Sequence, residues 1–206
     1  MTVAIVLLAA GMSSRTSKNG THKLLALFDG VPLLRRVAMQ AVASRASKVI
    51  AVLGYRHSDM ENTLSDLDVE TVINSDYASG MSRSLALGFS TAADQGFEGI
   101  MVMLADMPGI TGADLDRMID AFENAGGVAI IRASAGGHPG NPVILPRSMA
   151  GDVDGLEGDV GARHLIKASG LPIIDVDIGD ASLGDVDTPE EIAAARGILT
   201  RSDHWL

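Results

Sequence analysis

Four charged side chains stand where short polar segments interrupt long apolar ones. Arg15 and Lys23 lie in "AAGMSSRTSKNGTHK", which follows the apolar run VAIVLLA of residues 3–9. Asp106 lies in "LADMPGIT", at the end of the apolar run GIMVML of residues 99–104, and Asp187 lies in "GDVDTPEEI", two residues after Asp185. Arginine offers phosphate a planar fork of donors and lysine a point charge, so Arg15 and Lys23 suit the oxygens of a triphosphate. Gly11 is expected to let the backbone turn sharply after the strand, with the following amides aimed at the same oxygens. Carboxylates, with water and substrate phosphates, are the usual ligands of Mg²⁺. The chemistry these types suggest is phosphate neutralisation beside a metal.

Each feature also has a plain structural reading. The polar loop can be a solvated connection, and Asp106 can open a turn with Pro108 and Gly109. Thr188 and Glu191 form the pattern of a helix-capping box, with Pro189 at the first helical position. That accounts for Thr188 and Glu191 and leaves Asp185 and Asp187 unexplained. "GGHPGNP" (136–142) reads as a rigid, irregular loop whose one functional-looking side chain is His138; a structural turn explains it equally well. His22, His57, His164 and His204 have no metal-ligand spacing among themselves. No G-x-x-x-x-G-K-[ST], G-x-G-x-x-G or G-x-S-x-G pattern is present, so neither a Walker loop, a dinucleotide fingerprint nor a nucleophile elbow is indicated.

These residues must be held by a scaffold, and the composition says which kind. A chain of 206 residues suits one sizeable α/β domain, here expected to span 1–206. Aromatics make up only 3%, so Val, Ile, Leu, Ala and Met must fill the core. Acidic residues number 26 against 16 Lys and Arg, a net charge of −10 that opposes nonspecific binding to nucleic acid or anionic membranes. A local cluster such as Arg15, Lys18 and Lys23 can still dominate one pocket. Without cysteine there is no disulfide, thiolate metal site or cysteine nucleophile. No apolar run reaches the roughly 20 residues that span a bilayer, and no secretory signal pattern is expected, so the expected location is cytoplasmic.

Continuous apolar runs at 3–9, 48–53 and 99–104 predict strands buried on both faces. Residues 69–73, 128–132, 142–145 and 172–178 read as further strands. Helical spacing marks the segment from Leu33 to Val42, and also 58–66, 79–96, 112–125, 159–169 and the stretch after Thr188. Asp29-Gly30 is a strong turn signal. Alternating strands and helices predict a doubly wound, mostly parallel sheet, with 133–160 as an insertion at its carboxyl edge. Ligands of such sheets bind beyond the carboxyl ends of the strands. That selects the loops after strand one, after "MVML" and after "IIDVDI".

Together, "LLAAGMSSR" with Lys23, "NSDYASGMSRSL", "LADMP", "GHPGNPVIL" and "DVDTPEE" resemble the molybdenum cofactor cytidylyltransferases and related molybdenum hydroxylase accessory proteins, the MobA-like NTP transferases. The motifs span nearly the whole chain in the expected order. The resemblance implies a Rossmann-like α/β fold of the nucleotide-diphospho-sugar transferase type. It also implies transfer of CMP from CTP, or another nucleoside monophosphate from its NTP, to the terminal phosphate of molybdopterin, with pyrophosphate leaving. By matching positions, Leu8, Ala9, Ala10 and Gly11 would line the base and ribose, and Arg15 and Lys23 would hold the triphosphate. Gly80 and Ser84 would approach the nucleotide, Asp106 and Asp187 would hold Mg²⁺, and His138 and Pro139 would face the acceptor. "AAG" rather than "AGG" leans toward cytidine. "RTSKNGTHK" departs from the family by extra residues between Arg15 and Lys23. A molybdenum hydroxylase would be the downstream partner. A transferase for a sugar phosphate and a non-catalytic cofactor carrier are the competing functions; intact Arg15, Lys23 and Asp106 favour catalysis, and "GHPG" favours molybdopterin.

Overall fold

A strand without polar interruption needs cover on both sides, and β1 (Val3–Ala9) has it: Ile5 and Leu7 enter one apolar cluster, Ala4 and Val6 the other. The computed structural model describes residues 1–13, 21–156, 158 and 162–199. After β1 a short 3₁₀ turn (Lys23–Leu25) leads into a tight hairpin of β2 (Leu27–Phe28) and β3 (Val31–Pro32). Its turn holds Asp29 and Gly30 at φ of 52° and 79°, the left-handed pair that a two-residue hairpin requires. There follow α1 (Leu33–Val42), β4 (Lys48–Leu53), α2 (His57–Leu64), β5 (Glu70–Ile73), α3 (Met81–Asp94), β6 (Gly99–Leu104) and α4 (Gly112–Asn124). The rest of the chain forms β7 (Ile130–Ala135), β8 (His138–Pro146), α5 (Ala150–Asp154), α6 (Ala162–Ala168), β9 (Ile173–Asp177), α7 (Pro189–Ala194) and β10 (Gly197–Ile198).

Seven strands make the main sheet in the order β5-β4-β1-β6-β8-β7-β9, and β10-β2-β3 make a small second sheet. In the main sheet the pairs β4/β5, β1/β4, β1/β6 and β7/β9 are parallel, while β6/β8 and β7/β8 are antiparallel. Helices α1, α2 and α4 cover one face through residues such as Leu34, Met60 and Phe122. Helices α3, α5 and α6 cover the other through Phe89, Val153 and Leu165. α3 lies so close to the sheet that a Cβ on Gly88 would fall 2.3 Å from Val6 Cγ1 and 2.7 Å from Val52 Cγ2. Among the described residues no helix is long and apolar enough to cross a membrane.

The structure departs from two sequence expectations. Residues 133–160 are not an insertion at the sheet edge: β7 and β8 are central members of the sheet and meet in a hairpin at Gly136-Gly137. "GGHPGNP" is accordingly mostly strand, beginning at His138, rather than an irregular loop. The prolines misled because they cannot donate to a ladder. The pairing tolerates them beside a register shift between Arg132 and Ser134.

Candidate active site

Parallel register brings the first two motifs together. Leu8 pairs with Leu104 and Ala9 with Leu53, so β1, β4 and β6 end level. The Ala105 N–H then donates to the Leu8 carbonyl at 3.2 Å, which brings Asp106 out beside the end of β1. The segment after β1 is tied down by a residue that sequence reasoning passed over. His22 is buried, and its Nδ1 accepts the Leu24 N–H at 3.2 Å, capping the 3₁₀ turn that carries Lys23. That assigns the proton to Nε2, which reaches the Gly11 carbonyl and Ser13 Oγ, both at 3.1 Å. Burial, helped by the nearby positive charges of Arg56 and Lys23 and opposed by the Gly11 hydrogen bond, pulls the imidazole pKa down to about 4. It is neutral at pH 7. Its signal in the sequence was only a histidine directly before the candidate lysine.

Gly11 does not play the part expected of it. Its φ is not in the left-handed region; the sharp turn falls on Ser13, at φ 50°. A Cβ on Gly11 would meet nothing within 4 Å, so the glycine leaves open space beside the strand end rather than making the turn. Arg15 and Lys18 lie outside the described residues.

Lys23 Nζ donates to Asp106 Oδ2 at 2.5 Å and to Asp187 Oδ1 at 2.6 Å. The side chains of Lys23 and Asp106 are 14% and 16% exposed, and that of Asp187 35%. Asp187 is placed by two backbone devices. The Val186 N–H donates to the Asp106 carbonyl at 3.0 Å. The Glu191 carboxylate accepts the Asp187 and Thr188 N–H groups at 2.7 and 3.0 Å, completing the capping box that the sequence predicted. Burial works against the Lys23 ammonium, but the charge and hydrogen bonds of Asp106, then of Asp187, outweigh it and hold its pKa above the ordinary lysine value. Burial raises the Asp106 pKa; Lys23 partly offsets this, and Asp185 and Asp187 add to it by repulsion.

The Asp106 Oδ1 atom is buried without a hydrogen-bond partner among the described residues. No group of three or more His, Cys, Asp or Glu side chains there makes an all-protein metal cage. Two converging carboxylates, one with an unused oxygen, are nevertheless a donor set that fits a hard divalent cation of the Mg²⁺ type, which takes one or two carboxylates and completes its shell with water and substrate phosphate.

The motif "NSDYASGMSRSL" builds the next wall. Asn74 Nδ2 donates to Ser84 Oγ at 2.9 Å, and its Oδ1 accepts the Asp76 N–H at 2.9 Å, so one buried amide fixes the hydroxyl and the turn before α3. Gly80, at φ 107°, precedes α3 with no side-chain cap among the described residues; Ser79 instead donates to Asp76 at 2.5 Å. A cavity of about 540 Å³ lies among these parts. Leu8, Ala9, Ala10 and Gly11 line it along the strand end, and Gly80 and Ser84 line it from α3. Lys23, Asp106 and Asp187 reach it too, joined by Asp185. Pro139 lines a neighbouring cavity, and exposed His138 lines neither, because it sits at the hairpin turn, paired with Ala135.

Parallel strands ending level at a carboxyl edge, with a lysine and aspartates in the cleft beyond them, define an α/β nucleotidyltransferase fold. The MobA-like NTP transferase domain matches residues 5–173, and the chain belongs to that family. It is 28% identical over 206 residues to the purine catabolism protein PucB of Bacillus subtilis (strain 168), covering 95% of this chain and 96% of that protein. The crystal structure of Rv0371c from Mycobacterium tuberculosis H37Rv is similar with a TM-score of 0.82 at 25% identity, covering 95% of this chain and 97% of that one. The CMP:2-keto-3-deoxy-manno-octonic acid synthetase solved with CTP has a TM-score of 0.73 at 12% identity, over 95% and 97% of the two chains, and shows the shared fold alone.

Proposed function

We propose that the protein transfers CMP from CTP to the terminal phosphate of a molybdopterin-type acceptor in the cytoplasm, releases pyrophosphate, and supplies the product to a molybdenum hydroxylase. The observation that carries this reading is the convergence of Lys23, Asp106 and Asp187 in a cavity bounded by Leu8–Gly11 and by Gly80 and Ser84. The "GHPG" segment and the "AAG" form of the first motif support the choice of acceptor and base. An acceptor phosphate oxygen forms a bond to the α-phosphorus, the bond to the bridging α–β oxygen breaks, and pyrophosphate leaves with the electron pair.

Such a transfer asks for positioning and charge neutralisation more than for an acid–base pair. The Lys23 ammonium, kept protonated by its neighbours, supplies charge to the triphosphate, and Arg15 is the second cation assigned to it. Asn74 orients Ser84 toward the nucleotide, and Gly11 leaves room for a base or ribose against the backbone. Asp106 and Asp187 would hold Mg²⁺. When bound, the ion would offset charge on the departing pyrophosphate. The test offers the purified protein CTP, GTP, ATP and UTP in turn, with Mg²⁺ and molybdenum cofactor, and measures pyrophosphate. Release with CTP alone is expected; release only when a sugar phosphate replaces the cofactor would overturn the acceptor.

A further inference from the structure

A second cavity, about 210 Å³, adjoins the first and shares Leu8, Met81 and Leu104 with it. Its electrostatic character is the reverse of the rest of the molecule. The chain carries a net charge of −10, and among the described residues the first cavity is lined by three aspartates against one lysine. The second is lined by Arg132, Arg163 and Lys167 and, among the described residues, by no carboxylate. Arg132, on β7, is held in a two-pronged ion pair with Asp175, at 2.7 and 3.1 Å. Arg163 and Lys167 make no ion pair among the described residues, and their i, i+4 spacing puts them on one face of α6. Between these cations the lining is apolar, from Leu85, Val102, Val143 and Ile166, with the Asn141 amide as a polar exception.

A transfer between two phosphates must bring one anion against another. Low-dielectric walls focus the field of cations that line a cleft, so a small cluster can offset that repulsion locally in an acidic protein. We infer that the second cavity seats the acceptor: a phosphorylated molecule with a compact apolar or flat-ring body, its phosphate gripped by Arg163 and Lys167 and its body packed on the apolar lining. This rests on the nucleotidyltransferase reading above and adds the residues that would select an anionic acceptor. The segment around Pro139 and Asn141 then contributes shape and one amide, not charge. Gly140 beside them serves packing, since a Cβ there would fall 2.3 Å from the Ser182 carbonyl oxygen.

The test separates binding from chemistry. Molybdenum cofactor, and in a parallel arm glucosamine 1-phosphate, is titrated calorimetrically into protein loaded with a non-hydrolysable CTP analogue. The wild type is compared with Arg163→Gln/Lys167→Gln, whose fold is checked by circular dichroism, and with Arg163→Lys. The double variant should bind the acceptor at least tenfold more weakly, Arg163→Lys should recover part of that loss, and affinity for the CTP analogue should change less than twofold. Equal acceptor affinity in wild type and double variant would overturn the inference while leaving the proposed reaction standing. Charge-dependent binding of the sugar phosphate but not of molybdenum cofactor would keep the site and overturn the acceptor named above. If neither phosphorylated compound binds the loaded wild type, the cavity is not an acceptor site.

Discussion

Replacing Lys23 by Met keeps the side-chain stem and removes the charge that holds two carboxylates together. Asp106 is the more buried partner, and breaking such a pair leaves an uncompensated charge at a cost of about 3–5 kcal/mol. Asp187 is about a third exposed, so its share is screened to at most about 1 kcal/mol. Asp106 escapes part of the penalty by protonating, because burial already favours its neutral form. A net loss of about 3 kcal/mol at pH 7 is the outcome, or about 6–12 °C in Tm for a chain of this size. Burial raises the Asp106 pKa and Lys23 holds it down in part, so without Lys23 it rises further. A carboxyl with a raised folded pKa loses stability as pH rises through that value, so Lys23→Met goes on losing it above the wild type's window and the deficit should be larger at pH 8 than at pH 5. Mg²⁺ offers the two carboxylates a replacement cation. Thermal unfolding with and without Mg²⁺ should therefore show a larger rise in Tm for Lys23→Met than for the wild type. Pyrophosphate release should fall at least tenfold. An unchanged Tm would refute the account of the pair, and an equal Mg²⁺ response in both proteins would refute the view that lysine and metal share those oxygens.

Asp106→Asn should abolish Mg²⁺-dependent pyrophosphate release, by about two orders of magnitude or more, with the circular dichroism spectrum intact; full activity would remove Asp106 from the metal site. The neutral His22 gives the wild type a stability component that is complete above the usual histidine pKa of 6.5 and is lost as pH falls through its folded value of about 4. His22→Phe should thus show a shallower fall in Tm across that window, by up to about 3 kcal/mol in the difference; parallel pH profiles would contradict the buried-imidazole account. Gly88→Ala should destabilise by about 1–3 kcal/mol through overpacking against Val6 and Val52, read by denaturant unfolding with little change in nucleotide affinity.

The parts of the fold written in local pattern were legible. β1, β4 and β6 are uninterrupted apolar runs, and a carboxylate placed just past such a run has to emerge at the sheet edge, as Asp106 does. Thr188 and Glu191 announced a capping box, and the box holds Asp187 where it meets Lys23. What the sequence concealed depends on partners far along the chain. His22 matters because its ring joins the Gly11 carbonyl to the Leu24 amide inside the core, and no spacing rule encodes that. β8 contains Pro139, Gly140 and Pro142, residues that oppose strand formation locally, yet pairing with β6 and β7 overrides them. Arg132, Arg163 and Lys167 come from two separate elements and form no motif until the sheet and α6 close around one cavity.

The segment from Val186 to Ile198 has a temporal meaning. One end is bonded to the Asp106 backbone, α7 follows, and β10 then pairs with β2, just beyond the turn that carries Lys23. On the ribosome, Lys23 and Asp106 emerge long before this segment does. Until it arrives, the ammonium has one carboxylate instead of two, and β2 lacks an outer neighbour. The three-way cluster of Lys23, Asp106 and Asp187 is therefore closed only after this segment has been made, long after its first two members.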